Sequence, residues 1–232
     1  MEEILRKGLN ALGLTVTEKQ LKDFRSYYTI LEERSKVMNL TAIHGEADTA
    51  RLHFLDCAAL LTMEDFHGKS VIDVGTGAGF PGLPLRILEP GMELTLLDSL
   101  AKRVDFLSEV CDALSFNDVT CLHARAEEAS DLREQFDIAL SRAVARLDLL
   151  SELCLPLVKV GGVFLAMKGP GCGEELEEAR RAIEILGGEP EVLTYAIPGT
   201  DLSHCVVRIR KVKETPEKYP RRWAKMQKTP IR

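Results

Sequence analysis

Residues 71–84 read Val-Ile-Asp-Val-Gly-Thr-Gly-Ala-Gly-Phe-Pro-Gly-Leu-Pro. Glycines at 75, 77 and 79 directly follow an apolar run, so the backbone can turn sharply and approach a bound group with no Cβ in the way. Asp73 stands just before the turn, where a carboxylate attracts an ammonium and repels a pyrophosphate. Gly77-Ala-Gly79-Phe-Pro-Gly82 also spells the dinucleotide fingerprint, but that register starts two residues late for a strand ending at Val74. Asp98 follows Gly75 by 23 residues. Its two acceptor oxygens suit ribose hydroxyls, or it caps a helix beginning near Ser99. Together these features favour an adenosylated amino acid, S-adenosylmethionine, as ligand, with a nicotinamide dinucleotide as the rival.

Further along, Arg125-Ala126-Glu127 follows an apolar run and is placed to border an adenine. Ser141-Arg142-Ala143 and Met167-Lys168-Gly169 end two more such runs. Arg142 and Lys168 therefore reach the same edge as the glycine loop, as two cations able to position a polar or phosphorylated substrate; the alternative for either is ordinary surface charge. From Arg208 onward, ten basic residues stand against two acidic ones, a formal +8, so the first 207 residues carry −14 of the net −6. A compact basic end on an acidic body suits a local nucleic-acid surface, or only solubilises the chain. The five histidines are dispersed and no cysteine pair has ligand spacing, so no metal is assigned. The six cysteines lie mostly in apolar patterns and are expected to be free buried thiols in a reducing, cytoplasmic compartment. No apolar run is long enough for a membrane span.

The elements that must position these residues fall into three parts. Residues 1–65 read as a helical extension, with Leu5, Leu9 and Leu12 at helical spacing. A Thr17-x-x-Gln20 capping box then opens a helix with Leu21, Phe24, Tyr28 and Leu31 on one face. A further helix is predicted from Ala47 to Met63. From 66 to 213, short apolar strands alternate with helices: Ser70–Val74, Glu93–Leu97, Val119–His123, Phe136–Leu140 and Gly162–Lys168. That rhythm predicts a doubly wound α/β domain, Rossmann-like, with a mainly parallel sheet. Glu191–Ile197 and Ser203–Val212 have no room for a helix between them and predict a C-terminal antiparallel hairpin. Residues 214–232 form the basic tail.

Taken together, Asn39-Leu40-Thr41, His53-x-x-Asp56, Asp73-Val-Gly-x-Gly-x-Gly79-x-Pro-Gly82, Asp98-Ser-Leu-x-Lys-Arg103, Ser141-Arg-Ala143, Met167-Lys-Gly169 and Lys218-Tyr-Pro-Arg-Arg222 resemble the bacterial 16S rRNA guanine-N7 methyltransferase family RsmG, or GidB. The likeness covers nearly the whole chain. Its glycine pattern is generic, whereas the last three elements in this order are specific. The resemblance implies methyl transfer from S-adenosylmethionine to N7 of guanosine 527 in the 530 loop, leaving S-adenosylhomocysteine. It implies the small ribosomal subunit, or an assembly intermediate, as the partner. Cofactor contacts carry over to Gly75, Phe80, Ala126, Glu127 and Arg142, beside Asp73, Gly77, Gly79 and Asp98 of the cradle. In the tail, Lys218, Arg221 and Arg222 are expected to meet RNA phosphate, with Trp223 stacking on a base or packing on the body. Two departures stand out: Cys57 where relatives commonly carry serine, and Trp223-Ala-Lys-Met226 where they often have alanine-glycine-x-proline. Guanine N7 already presents a lone pair, so positioning outweighs proton transfer and no general base is assigned. His53 is expected to be structural, paired with Asp56 one turn away. Methylation of another RNA or a small molecule, a dehydrogenase, and a non-catalytic RNA-binding protein are the competing readings.

Overall fold

Helix α1 (Glu2–Ala11) and helix α2 (Glu18–Ser35) open the chain. The Thr17–Gln20 capping box is formed: Gln20 N donates to Thr17 Oγ1 (3.2 Å) and Thr17 N to Gln20 Oε1 (2.8 Å). Gln20 Nε2 also donates to the carbonyls of Ile87 (3.0 Å) and Leu88 (3.1 Å), so one side chain starts a helix and ends another. Leu21, Phe24 and Leu31 are buried as expected, but Tyr27 rather than Tyr28 completes the inward face. This computed structural model describes every residue except Ala143 and Arg232. Two expectations, the end of the Ser141-Arg142-Ala143 element and the final cation of the basic end, therefore lie outside the described residues.

The helix expected from Ala47 to Met63 is helical throughout but changes pitch. It runs as α3 (Glu46–Thr49), a π-helical turn (Ala50–Leu55), α4 (Asp56–Ala58) and a 3-10 turn (Ala59–Thr62). Such a widened turn is uncommon and often marks a functional position. Here it carries His53 and leads into Asp56.

The alternating region builds β1 (Ser70–Val74), α5 (Gly82–Leu88), β2 (Glu93–Asp98), α6 (Ala101–Ala113), β3 (Thr120–His123) and β4 (Phe136–Arg142). It continues through α7 (Leu147–Cys154), β5 (Val158–Lys168), α8 (Cys172–Ile185), β6 (Gly188–Ala196) and β7 (Ser203–Lys211), with α9 (Trp223–Lys228) in the tail. The seven strands lie in the order β3-β2-β1-β4-β5-β7-β6. Strands β1 to β5 are parallel, and the antiparallel β6–β7 pair extends the sheet beyond β5, with β7 innermost. The predicted doubly wound fold with its C-terminal hairpin is thus the observed one.

Strand alternation sorts the sheet's side chains between two cores. Val71, Leu94, Leu96, Leu140 and Leu165 pack with α5, α6 and the buried side chains of residues 1–65, among them Leu5, Phe24 and Phe54. Ile72, Leu97, Ala139, Phe164 and Ala166 face α7, α8 and the tail residues Tyr219, Met226 and Ile231. The order of strands leaves β1 between β2 and β4, so the crossovers leave it in opposite directions and open a crevice at its carboxyl end.

One cysteine expectation is corrected. Cys172, opening α8, and Cys205, on β7, are joined as a disulfide, because the fold brings their Cα atoms to 6.7 Å across 33 residues of sequence. Cys57, Cys111, Cys121 and Cys154 are free.

Candidate active site

The glycine loop is fastened to the neighbouring strand as it leaves β1. Gly75 N and Thr76 N both donate to the Leu97 carbonyl, at 2.8 and 3.2 Å. Gly77 and Gly79 have φ of +61° and +94°, a left-handed backbone that side chains resist. Their surroundings differ. A Cβ on Gly79 would lie 2.4 Å from Leu83 Cδ1 and 2.7 Å from the Tyr27 hydroxyl, whereas one on Gly77 would meet only the Gly75 carbonyl oxygen at 3.9 Å. Gly79 is therefore a packing glycine, and Gly77 borders open space. The Tyr27 hydroxyl donates to the Ala78 carbonyl, so α2 holds the loop from below. Sequence reasoning missed this tyrosine, and a helix-face count alone could not separate it from Tyr28.

Asp73 lies beneath the loop, with no exposed surface. Its Oδ2 accepts from the Thr76 hydroxyl (2.7 Å) and Gly82 N (2.8 Å), while Oδ1 has no partner. Burial pushes this carboxyl up to about 6 against those two hydrogen bonds and the charge of Arg142. The expectation that Asp73 faces the ligand is corrected: the carboxylate shapes the loop through one oxygen and keeps only the other as a spare acceptor. Asp98, at the end of β2, forms the expected cap at the start of α6 and also braces the glycine loop. Its Oδ1 accepts from Leu100 N (2.9 Å) at the entry to α6, and its Oδ2 accepts from Gly77 N (3.0 Å), with Arg103 Nη1 at 3.4 Å.

Two adjoining cavities open at this edge, sharing Gly75, Ser99 and Val144. One, of about 420 Å³, is lined by Leu40, Thr41, His53, Gly77, Phe80, Asp98, Arg103 and Arg142. The other, of about 270 Å³, is lined by Val74, Leu97, Arg125, Ala126, Glu127, Leu153 and Trp223. The predicted residues Gly75, Gly77, Phe80, Asp98, Ala126, Glu127 and Arg142 are therefore brought together, while Gly79 and Asp73 support the loop from behind. Thr41, Val144 and Arg103 had no assigned role. Thr41 and Arg103 belong to singled-out motifs, which was the available signal.

Arg142 leaves β4 and crosses the first cavity. Its guanidinium carbon sits 4.7 Å from the Phe80 ring centroid, Nη2 lies 2.8 Å from His53 Nδ1, and Nη1 is 3.4 Å from Asp56 Oδ2. Because a guanidinium only donates, His53 Nδ1 must accept, which leaves Nε2–H to donate to Thr41 Oγ1 at 2.7 Å. Burial and the Arg142 charge hold this imidazole down at about 3, so it is neutral and both its nitrogens are occupied. His53 also stacks on Phe80, with centroids 4.2 Å apart. Its expected pairing with Asp56 is not formed. Asp56 Oδ1 instead accepts from the Tyr195 hydroxyl (2.7 Å) and lies 2.9 Å from His204 Nδ1, both on the C-terminal hairpin.

Lys168 does not join Arg142. Its ammonium donates to the Ala145 carbonyl (2.9 Å) and to Glu175 Oε1 (2.8 Å), away from both cavities. Glu175 Oε1 in turn accepts from Leu147 N (2.6 Å), so Lys168 ties down the chain segment that follows Val144. In the tail, Arg221 is also committed: its backbone N and its guanidinium grip Glu152, which is 1% exposed, at 2.6 to 2.8 Å. Tyr219 is buried rather than offered to solvent, with Lys218 and Arg221 over its ring at 5.2 and 5.6 Å. Lys218 and Arg222 are exposed, as are Lys225 and Lys228 on α9. Among the described residues, no group of three His, Cys, Asp or Glu side chains converges as a metal site, and no helix is long and apolar enough to cross a membrane.

A glycine loop after the central strand, an acid ending the next and a two-part cleft at the sheet's switch point define the class: Rossmann-like, S-adenosylmethionine-dependent methyltransferases. Solved structures share this fold. An O-methyltransferase from Bacillus cereus in complex with SAH has a TM-score of 0.56 at 18% identity, covering 80% of this chain and 91% of that one. An S-adenosylmethionine-dependent methyltransferase from Aquifex aeolicus has a TM-score of 0.52 at 17% identity, covering 71% and 93%. The family GidB, rRNA small subunit methyltransferase G, matches residues 20–200. The ribosomal RNA small subunit methyltransferase G of Alkaliphilus oremlandii is 47% identical over 100% of this chain and 99% of its own length. That of Lachnoclostridium phytofermentans is 46% identical over 97% and 95%. The chain belongs to this family, and it is an S-adenosylmethionine-dependent methyltransferase.

Proposed function

We propose that the chain transfers the methyl group of S-adenosylmethionine to N7 of a guanine in 16S rRNA, guanosine 527 of the 530 loop, within the small ribosomal subunit or an assembly intermediate. The observation that carries this reading is near-full-length identity above 40% to proteins named as small-subunit rRNA methyltransferases. The cleft fits the cosubstrate. The space beside Gly77 is open and would be filled by any side chain there.

In this reading Asp98 receives the ribose hydroxyls, Gly75, Gly77 and Phe80 frame the amino-acid half, and Ala126 and Glu127 border the adenine. The bound sulfonium supplies an electrophilic methyl group. Guanine N7 contributes its lone pair, the N7–carbon bond forms as the sulfur–carbon bond breaks, and no proton has to leave. The residues therefore serve alignment. Arg142, held over Phe80 by His53 and Asp56, borders the space where a guanine must come, and its guanidinium donors suit a carbonyl oxygen or phosphate there. His53 is unsuited to take a proton, with Nδ1 and Nε2 already engaged. Lys168 acts at one remove, by fixing the Ala145–Leu147 segment. RNA phosphate is met by the exposed Lys218, Arg222, Lys225 and Lys228, while Arg221 anchors the tail.

The test is methyl transfer from labelled S-adenosylmethionine to naked 16S rRNA, assembly intermediates and mature small subunits, followed by mapping of the modified atom. N7-methylguanosine at the proposed position is the expected product. Label at another atom or RNA, or transfer only to a small molecule, would overturn the assignment.

A further inference from the structure

Trp223 is the chain's single tryptophan and stands in the basic tail, where the sequence allows either stacking on a base or packing on the body. It is half-buried, and it lines the cavity of about 270 Å³ formed by Val74, Leu97, Ala126 and Leu153. Three attachments put it there. Arg221, two residues earlier, is locked to buried Glu152 on α7, the helix that also supplies Leu153. Arg133 donates to the Tyr219 carbonyl at 2.8 Å. Met226, one turn further on, is fully buried. The tail is therefore packed against the sheet's carboxyl edge.

We infer that Trp223 is a wall of the adenine pocket and stacks on the purine of the bound cosubstrate. The inference rests on the reading that this cavity receives the adenine. Val74, Leu97, Ala126 and Leu153 give the cavity apolar surface, with Ser99, Arg125 and Glu127 also on its lining. A purine between those apolar residues and an indole gains base–aromatic stacking, which alanine substitution ordinarily exposes as a clear loss of affinity. The same contact joins the cosubstrate pocket to the segment carrying Lys218, Arg222 and Lys225, so the tail serves both ligands.

The experiment uses S-adenosylhomocysteine and the full chain. Calorimetry should show Trp223→Ala binding about tenfold more weakly than the parent, with Trp223→Phe recovering most of the loss. Because no other tryptophan contributes, saturation of the parent protein should quench its tryptophan emission. Binding to the parent with unchanged emission, together with unchanged affinity in Trp223→Ala, overturns the inference and leaves the wider functional reading standing. No binding to the parent at all overturns that reading, and this inference falls with it. If Trp223→Ala melts early, Trp223→Phe and the parent's emission still decide.

Discussion

Two glycines in one loop should fail in different ways. Gly77→Val places its side chain in the cleft, so S-adenosylhomocysteine affinity should fall at least tenfold in calorimetry while the fold survives a left-handed strain of about 1–2 kcal/mol. Gly79→Ala drives a methyl group into Leu83 and Tyr27, and its defect should be a stability loss of about 1–3 kcal/mol in urea unfolding. Equal binding defects with equal stabilities would contradict this division. Asp98→Ala should weaken cosubstrate binding about tenfold, since it removes both a charged acceptor and the brace on Gly77. His53 gives a pH signature. Its folded pKa is lowered from 6.5 to about 3, so its contribution to stability is complete above 6.5 and is lost as pH falls toward 3. His53→Gln should therefore lose less stability than the parent on acidification from neutrality, by at most about 1.4 kcal/mol per pH unit. Asp73 acts in the opposite sense. Its pKa is raised from 3.8 to about 6, so its contribution is complete below 3.8 and is lost as pH rises through about 6. Parallel unfolding profiles for parent and His53→Gln would reject the assignment.

At the scale of elements, the tail divides into an anchor and a contact face. Arg221→Ala strands the carboxylate of Glu152 in the core, and losing one partner of a buried pair typically costs about 3 kcal/mol or more. Arg222 is exposed, so Arg222→Ala should leave stability within about 0.5 kcal/mol. It should instead weaken ribosomal-particle binding and reduce the salt dependence by about one phosphate contact. Melting curves and a salt series on the two variants separate these outcomes. The exchange of roles that would refute the division is an unstable Arg222→Ala beside a stable, RNA-deficient Arg221→Ala.

At the scale of the molecule, residues 1–65 are part of the domain's core. They share one core with α5, α6 and the face of the sheet carrying Val71, Leu96, Leu140 and Leu165, and Asp56 links them to β4 through Arg142 and to the hairpin through Tyr195 and His204. Residues 66–232 alone would keep α5 and α6 over the sheet but would expose the apolar surface that residues 1–65 cover. A truncated chain should bind a hydrophobic dye and lack the parent's cooperative thermal transition. A sharp transition near the parent's would show that the extension is dispensable.

Local periodicity makes the architecture legible in the sequence. A period of two in the strands, 3.6 in the helices and a Thr-x-x-Gln box each depend on residues close in the chain. The glycine loop and Asp98 were readable for the same reason, being tied to strand ends. Tertiary structure alone decided which charges are spent internally. Arg221 meets Glu152 across 69 residues, Lys168 is diverted to Ala145 and Glu175, and His53 joins Arg142 instead of its near neighbour Asp56. A long cationic side chain takes whichever acceptor the packed chain brings within about 3 Å, and that acceptor leaves no trace in the spacing around the cation itself. Trp223 follows the same logic: its sequence neighbours are basic, while in space it shares a cavity with Val74, Leu97, Ala126 and Leu153, gathered only once the sheet has closed beneath the tail.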